Sequence, residues 1–158
     1  MFARVLCDRS PGLVAGVVLI ESLWPQDGQS TMDLLAAEAR AAVCQRIRDE
    51  GEGWRIPPPS VRQFDLGDEV LERSIEPRSS DQPAATFNDA VNLQGDAPRG
   101  TYVLANDRDP QPYASTAEEL ATHGWRVLEI SGGHSLMITQ TDCVARLPMQ
   151  AVGEVAAT

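Results

Sequence analysis

Apolar residues along this chain fall into two kinds of run, separated by a polar, proline-punctuated middle. Leu13-Val14-Ala15-Gly16-Val17-Val18-Leu19-Ile20 is almost unbroken and rich in β-branched side chains. A strand with one wet face alternates, whereas a strand covered on both faces reads like this. Residues 13–20 are therefore expected to lie inside a parallel sheet. Ahead of them, Phe2, Val5 and Leu6 share one helical face, and Ser10-Pro11-Gly12 ends that helix. Residues 25–30 form a polar turn, after which the period becomes helical. Leu34, Leu35, Ala39, Ala42, Val43 and Ile47 predict one helix over residues 31–49, capped by Ser30 or Thr31.

The middle of the chain changes character. Trp54-Arg55-Ile56-Pro57-Pro58-Pro59 reads as a rigid extended segment, residues 68–75 as a short helix, and the rest as loop. Strand and helix then alternate: a strand at 101–105, a helix at 115–122, a strand at 125–130 and a closing helix at 141–147. Residues 149–158 are small and polar, and a frayed tail is expected there. The order predicts one α/β domain over residues 1–158, built from right-handed βαβ units. Residues 25–99 form one long excursion between the first two strands. It would sit over the carboxyl edge of the sheet, where ligands bind in open α/β sheets, and so reads as a cap-like insertion.

Composition narrows the function classes. With 158 residues the chain suffices for one modest domain. The formal charge is −10, and all 13 basic residues are arginine. An acidic chain without a basic run argues against nucleic acid and against an anionic membrane as partners. Cys7, Cys44 and Cys143 are scattered and have no C-x-x-C spacing. They suit buried thiols better than disulfides or metal ligands, so no metal is expected. No leader pattern or bilayer-length apolar run is visible, and the expected compartment is the cytoplasm.

The most informative stretch is Trp125-Arg126-Val127-Leu128-Glu129-Ile130 followed by Ser131-Gly132-Gly133-His134-Ser135-Leu136-Met137. It is a short strand, a glycine pair that lets the backbone turn sharply, and one histidine displayed at the strand end. This resembles the way an α/β-hydrolase presents the last member of its Ser…Asp/Glu…His triad. Val18-Leu19-Ile20-Glu21-Ser22 with Pro25-Gln26-Asp27-Gly28-Gln29-Ser30 looks like the sixth strand and cap entry of that family. Gly53-Trp54-Arg55-Ile56-Pro57-Pro58-Pro59, Gln82-Pro83-Ala84-Ala85-Thr86-Phe87 and Thr101-Tyr102-Val103-Leu104 continue the pattern in order, over nearly the whole chain. The resemblance is to small esterases akin to plant salicylate-binding esterases and hydroxynitrile lyases, particularly bacterial members. It implies a partial α/β-hydrolase fold of about three parallel strands with flanking helices and a helical cap. It also implies acyl transfer from a small carboxylic ester through a serine, with no cofactor and no metal. Met1-Phe2-Ala3-Arg4-Val5-Leu6 reads as the continuation of the helix that follows the family's nucleophile, so the chain resembles a C-terminal portion.

His134 is the candidate general base, which would take a proton from a serine and return it to the leaving alcohol. His123, before Gly124 at a helix end, reads as a cap on carbonyls. The resemblance implies an acid after the next-to-last strand, in Asn106-Asp107-Arg108-Asp109-Pro110. The family's spacing falls between Asp107 and Asp109. Asp107, nearest the strand end, is preferred, with Asp109 as its alternative and an Asp-Pro turn as the competing reading. Glu21, at the end of the preceding strand, is a rival acid. No G-x-S-x-G occurs in the chain. Ser22 has bulky neighbours in Glu21 and Leu23, and Ser135 abuts the histidine itself. Nucleophile and oxyanion hole are both absent, so the chain as written is expected to be inactive. Trp24, Trp54 and Phe87 either line an apolar substrate pocket or pack the core and cap. The expected partner is a small ester or apolar ligand. Two alternatives stay open: a non-catalytic ligand binder using the cap pocket, and an interaction module that self-associates through an exposed sheet edge.

Overall fold

The computed structural model describes residues 1–64, 66–95, 99–109 and 111–156, the last seven as backbone helix only. Helix α1 (Phe2–Arg9) leads through a 3-10 turn into strand β1 (Val17–Ile20). The insertion holds α2 (Thr31–Leu34), α3 (Ala37–Asp49), β2 (Arg55–Ile56), α4 (Glu69–Ile75), β3 (Gln82–Pro83) and α5 (Ala85–Asn88). The chain then forms β4 (Gly100–Ala105), α6 (Ala114–Thr122), β5 (Arg126–Ile130), α7 (Leu136–Thr139) and α8 (Thr141–Ala156). Among the described residues no helix is long and apolar enough to cross a membrane.

Three parallel strands make the sheet, in the order β1-β4-β5. The central strand, β4, is the most deeply buried element: Tyr102, Val103 and Ala105 are fully enclosed. The period-two alternation of a strand sends its side chains to two separate cores. Val17, Leu19 and Tyr102 meet Cys7 of α1 and Ala117 and Leu120 of α6 on one face. Val18, Ile20, Val103, Ala105, Leu128 and Ile130 meet Leu136 and Leu147 on the other. Helices on both faces account for the unbroken apolar run. At Gly100, an added Cβ would lie 2.4 Å from the Val17 carbonyl and 2.7 Å from the Trp125 ring, so only glycine lets β1 and Trp125 close on β4.

The elements depart from the sequence pattern at instructive places. The strand expected over residues 13–20 begins only at Val17, where Gly100 becomes its ladder partner. Pro11 instead starts a 3-10 turn that leaves Leu13 exposed. Helix α1 turns its expected apolar face outward: Phe2 is 88% exposed, while Arg4 and Cys7 are buried against the sheet. The guanidinium of Arg4 lies 5.5 Å from the centre of the Trp24 ring, which offers the cation a π face. The single helix expected over residues 31–49 breaks at Leu35 and Ala36, both extended (ψ 141° and 151°). Neither residue disfavours helix; the break lets Met32 and Leu35 both pack on the insertion's own cluster. Helix α8 continues through Pro148 to Ala156, beyond the expected residue 147 and into the stretch where fraying was expected. The thiols also differ from expectation: Cys7 is buried, Cys44 half-buried and Cys143 exposed.

The insertion packs around Val43, Ile47, Ile56 and Ala84, with Phe87 against them. A capping box starts it: the Ser30 hydroxyl accepts from the Asp33 amide while the Asp33 carboxylate accepts from the Ser30 amide. Its two ends meet at a neck. Gly28 donates to the Val91 carbonyl, Val91 to that of Gln29, and Leu93 to the Asp27 carboxylate. Asp8 of α1 ties the returning segment down by accepting from the amides of Gln94 (2.7 Å) and Gly95 (2.6 Å). Those two amides, Gly95 first, hold the Asp8 carboxyl below its ordinary range.

Candidate active site

The carboxyl ends of β1, β4 and β5 bring Glu21, residues 106–109 and His134 to one edge of the sheet. Glu21 directly follows β1 and adopts a left-handed backbone (φ 45°) that non-glycine residues seldom visit. Such strain persists only where surroundings over-determine it. Here they do. The Glu21 amide donates to the Val103 carbonyl at 3.0 Å, the last rung of the β1–β4 ladder. Its own carboxylate then curls back, and Oε1 accepts the Ala105 amide at 2.7 Å. A side-chain oxygen thus replaces the backbone carbonyl that the diverging strand no longer supplies. Gln111 Nε2 also reaches Oε1, at 3.3 Å, and donates to the Ala105 carbonyl. The Tyr102 hydroxyl, fully enclosed, donates to the Ser22 carbonyl at 2.8 Å and accepts its amide at 3.2 Å, fixing the turn after Glu21. Burial pushes that phenol well above its ordinary value.

Glu21 Oε2 is left facing His134. The distance from Oε2 to His134 Nδ1 is 3.5 Å, the carboxylate side chain is fully enclosed, and the imidazole is about one-third exposed. Both atoms are shut off from solvent, and neither makes a conventional hydrogen bond elsewhere. At 3.5 Å the contact is longer than a formed hydrogen bond. Pairs of this kind are commonly loose before substrate binds and tighten in the complex. His134 reaches its place through Ser131-Gly132-Gly133. Gly132 has φ +147°, and a Cβ there would lie 2.7 Å from Leu136 Cδ2. The Tyr113 ring stacks on the imidazole, with centroids 5.3 Å apart and planes 12° off parallel. Burial raises the Tyr113 hydroxyl's pKa; the Arg108 guanidinium beside it pulls the other way.

The other acid candidates sit differently. Asp107 is exposed, and its carboxylate accepts from the Ser131 hydroxyl at 2.8 Å; its described contacts run to that loop. Asp109 is exposed. Between them, Arg108 Nη1 approaches Glu21 Oε2 at 3.7 Å. Arg108, Gln111 and Tyr113 are the site neighbours that the sequence pattern did not single out. Arg108 carried one usable signal, since it occupies the spacing at which the resemblance expects an acid.

The three candidate pocket aromatics have three different surroundings. Trp24 is buried in the sheet core, edge-on to Trp125 at 5.2 Å. It also lines a cavity of about 330 Å³ at the neck of the insertion, with Arg4, Leu93, Leu120 and His123. Trp54 is mostly exposed, with the Arg55 guanidinium 5.3 Å from its ring centre. Phe87 packs on the insertion's apolar cluster. His123 Nδ1 lies 2.9 Å from the Glu119 carbonyl at the end of α6, as a helix-capping imidazole would. Ser22 donates to the Leu23 carbonyl, and Ser135 is buried at the start of α7. Among the described residues no group of three or more His, Cys, Asp or Glu side chains is placed to hold a metal.

No family model matches this chain, and no curated protein sequence does. Among solved structures it is similar to an extracellular α/β-hydrolase from a Paenibacillus species, reported to share structural and functional homology with tobacco salicylic acid binding protein 2. The TM-score is 0.78 at 17% identity, over 94% of this chain and 66% of that one. The chain thus has a partial α/β-hydrolase fold and spans just under two-thirds of that neighbour's length.

Proposed function

We propose that this chain forms the histidine–acid half of a serine-type acyl-transfer site for small carboxylic esters, with His134 as general base and Glu21 as its acid. The observation that carries the reading is the enclosed Glu21 carboxylate, anchored on one oxygen by the Ala105 amide and facing His134 Nδ1 with the other. An anionic partner on Nδ1 keeps the proton there, leaves Nε2 free to accept one from a hydroxyl, and stabilises the imidazolium that follows. Asp107 is bound to Ser131 and serves that loop instead. The chain has no G-x-S-x-G, so the nucleophile must come from outside these residues and the chain alone does not turn over ester.

Two measurements test this. Purified chain should hydrolyse p-nitrophenyl acetate no faster than its His134→Ala variant; a His134-dependent rate would reveal a nucleophile within it. Nitrogen-15 NMR of the imidazole should report the Nδ1-protonated tautomer. Glu21→Gln should disturb it and Asp107→Asn should leave it unchanged; the reverse pattern overturns the assignment of the acid.

A second reading is favoured by the cavity at the neck. Its size falls at the lower end of small-ligand sites, and it presents an indole and two leucines beside Arg4, Asp27, Gln94 and His123. In this reading the chain binds a small ligand with an apolar ring and a polar group without reacting with it. Salicylate, suggested by the neighbour's reported homology, is the first probe. Calorimetric binding that His134→Ala retains and Gln94→Trp abolishes supports it, and the absence of binding removes it.

A further inference from the structure

Resting on the histidine–acid reading above, we propose that Arg108 is a positioning residue that shares the Glu21 carboxylate with His134 and acts on the imidazole through it. The two oxygens of Glu21 have divided roles. Oε1 is taken up by the Ala105 amide at 2.7 Å and by Gln111 at 3.3 Å, both neutral donors that fix where the carboxylate lies. Oε2 faces His134 Nδ1 at 3.5 Å and Arg108 Nη1 at 3.7 Å, and neither contact is a formed hydrogen bond. One anionic oxygen thus stands between a permanent cation and a group that becomes cationic only when protonated.

An enclosed carboxylate beside a neutral imidazole would be an uncompensated charge, which is strongly disfavoured in an interior. Arg108 supplies the compensation, because a guanidinium stays protonated across the accessible pH range. When His134 takes a proton, two cations compete for one anionic oxygen, so Glu21 holds the imidazolium less tightly than it would without Arg108. Arg108 thus tempers the hold of the acid on an imidazolium whose proton must be delivered to a leaving alcohol. Its side chain is partly exposed and extends beside the Tyr113 hydroxyl, so it can lean toward that phenol and leave Oε2 to the imidazole. The ionisable groups facing the pair are Arg108 and Tyr113, with the Tyr102 hydroxyl held on Ser22 next to Glu21 and the Asp107 carboxylate held on Ser131.

The test follows the His134 ring signals by NMR through a pH titration of the whole chain, with no substrate needed. Arg108→Gln should move the His134 midpoint upward, by several tenths of a pH unit or more, and Arg108→Lys should restore most of the original value. In a Glu21→Gln background the same replacement should move it much less, since the shared anion is gone. An unchanged midpoint in Arg108→Gln overturns the proposal. So does an equal shift in both backgrounds, which would mean that Arg108 acts on the ring directly. If Glu21→Gln itself leaves the His134 signals untouched, the histidine–acid reading fails, and that result stands apart from any outcome at Arg108. Amide spectra of each variant, matched to the parent away from the site, separate these shifts from loss of structure.

Discussion

The sheet and the insertion are built to different standards of enclosure. In the sheet, β4 is flanked by a strand on each side and by helices on both faces, and three of its side chains have no exposure at all. In the insertion, a cluster of four buried residues joins α3 to the short α2 and α5 and to a two-residue strand pair, while Trp54 and Val70 remain exposed. The difference matters for the site. Glu21, Arg108, Gln111 and His134 hang from the ends of sheet strands or the loops that follow them, and the enclosure of Tyr102 fixes the turn at Glu21. The insertion is anchored chiefly at its neck, where backbone pairs and two carboxylates join it to the rest. Rigid strands place the pair, whereas the lightly packed insertion leaves more room for variation.

The sharpest way to break this comparison is to remove equal volume from each core. Leu136→Ala empties the cluster of Val103, Ala105 and Leu147 and should destabilise the chain by about 3–5 kcal/mol in urea titration. Ile47→Ala in the insertion should cost about 2 kcal/mol, at the lower end for such truncations, because a thin cluster collapses more easily. Equal losses would mean that the two cores are packed alike. A glycine pair gives a smaller contrast. Gly100→Ala forces a methyl into the Val17 carbonyl and the Trp125 ring and should cost about 1–3 kcal/mol, as overpacking does. Gly53→Ala meets open space but a left-handed backbone (φ 78°), so it should cost about 1–2 kcal/mol, all of it from strain. Thermal melts of the two variants decide.

Ser30→Ala removes the capping box at the insertion's start and should cost about 1 kcal/mol, seen as faster amide exchange in residues 31–34 with β4 unaffected. The smallest effect is that of acid. The Ser30 hydroxyl and then the Ser30 amide hold the Asp33 carboxyl below its ordinary 3.8. A lowered folded-state pKa adds stability above the unfolded value, and that stability is lost as pH falls through the lowered one. Asp33→Asn should therefore flatten the loss of insertion stability below about pH 4 while leaving the sheet's acid response unchanged. Asp8→Asn should do the same at the neck, where the Gly95 and Gln94 amides are the cause.

The elements of the sheet were legible because their signals are local. The run before Glu21 reads as a strand covered on both faces, since burial there demands continuous apolar sequence, and residues 101–105 and 125–130 read as strands, the last of them only partly buried. Gly132 and Gly133 announced the turn before His134, since a φ of +147° needs glycine. Where a local signal misled, packing had overridden it. Phe2 and Leu6 lost the buried face of α1 to Arg4, whose guanidinium lies against the Trp24 ring, and to Cys7, which packs in the sheet core. Leu35 and Ala36 broke a helix they favour so that Met32 and Leu35 could both reach the insertion's cluster.

The sequence by itself determined that three strands, with intervening helices, end in polar loops at one edge of a sheet, and that a histidine stands at the last of those ends. It offered three carboxylates for that histidine and favoured Asp107 for its nearness to a strand end, although spacing along a chain does not say which strand end faces which. Only the tertiary structure decided that Glu21, more than a hundred residues away in sequence, lies against His134, whereas Asp107 turns to Ser131. The reason is the sheet order. Placing β4 between β1 and β5 gives the Glu21 carboxylate the Ala105 amide as its anchor, and its buried second oxygen then faces the imidazole and Arg108.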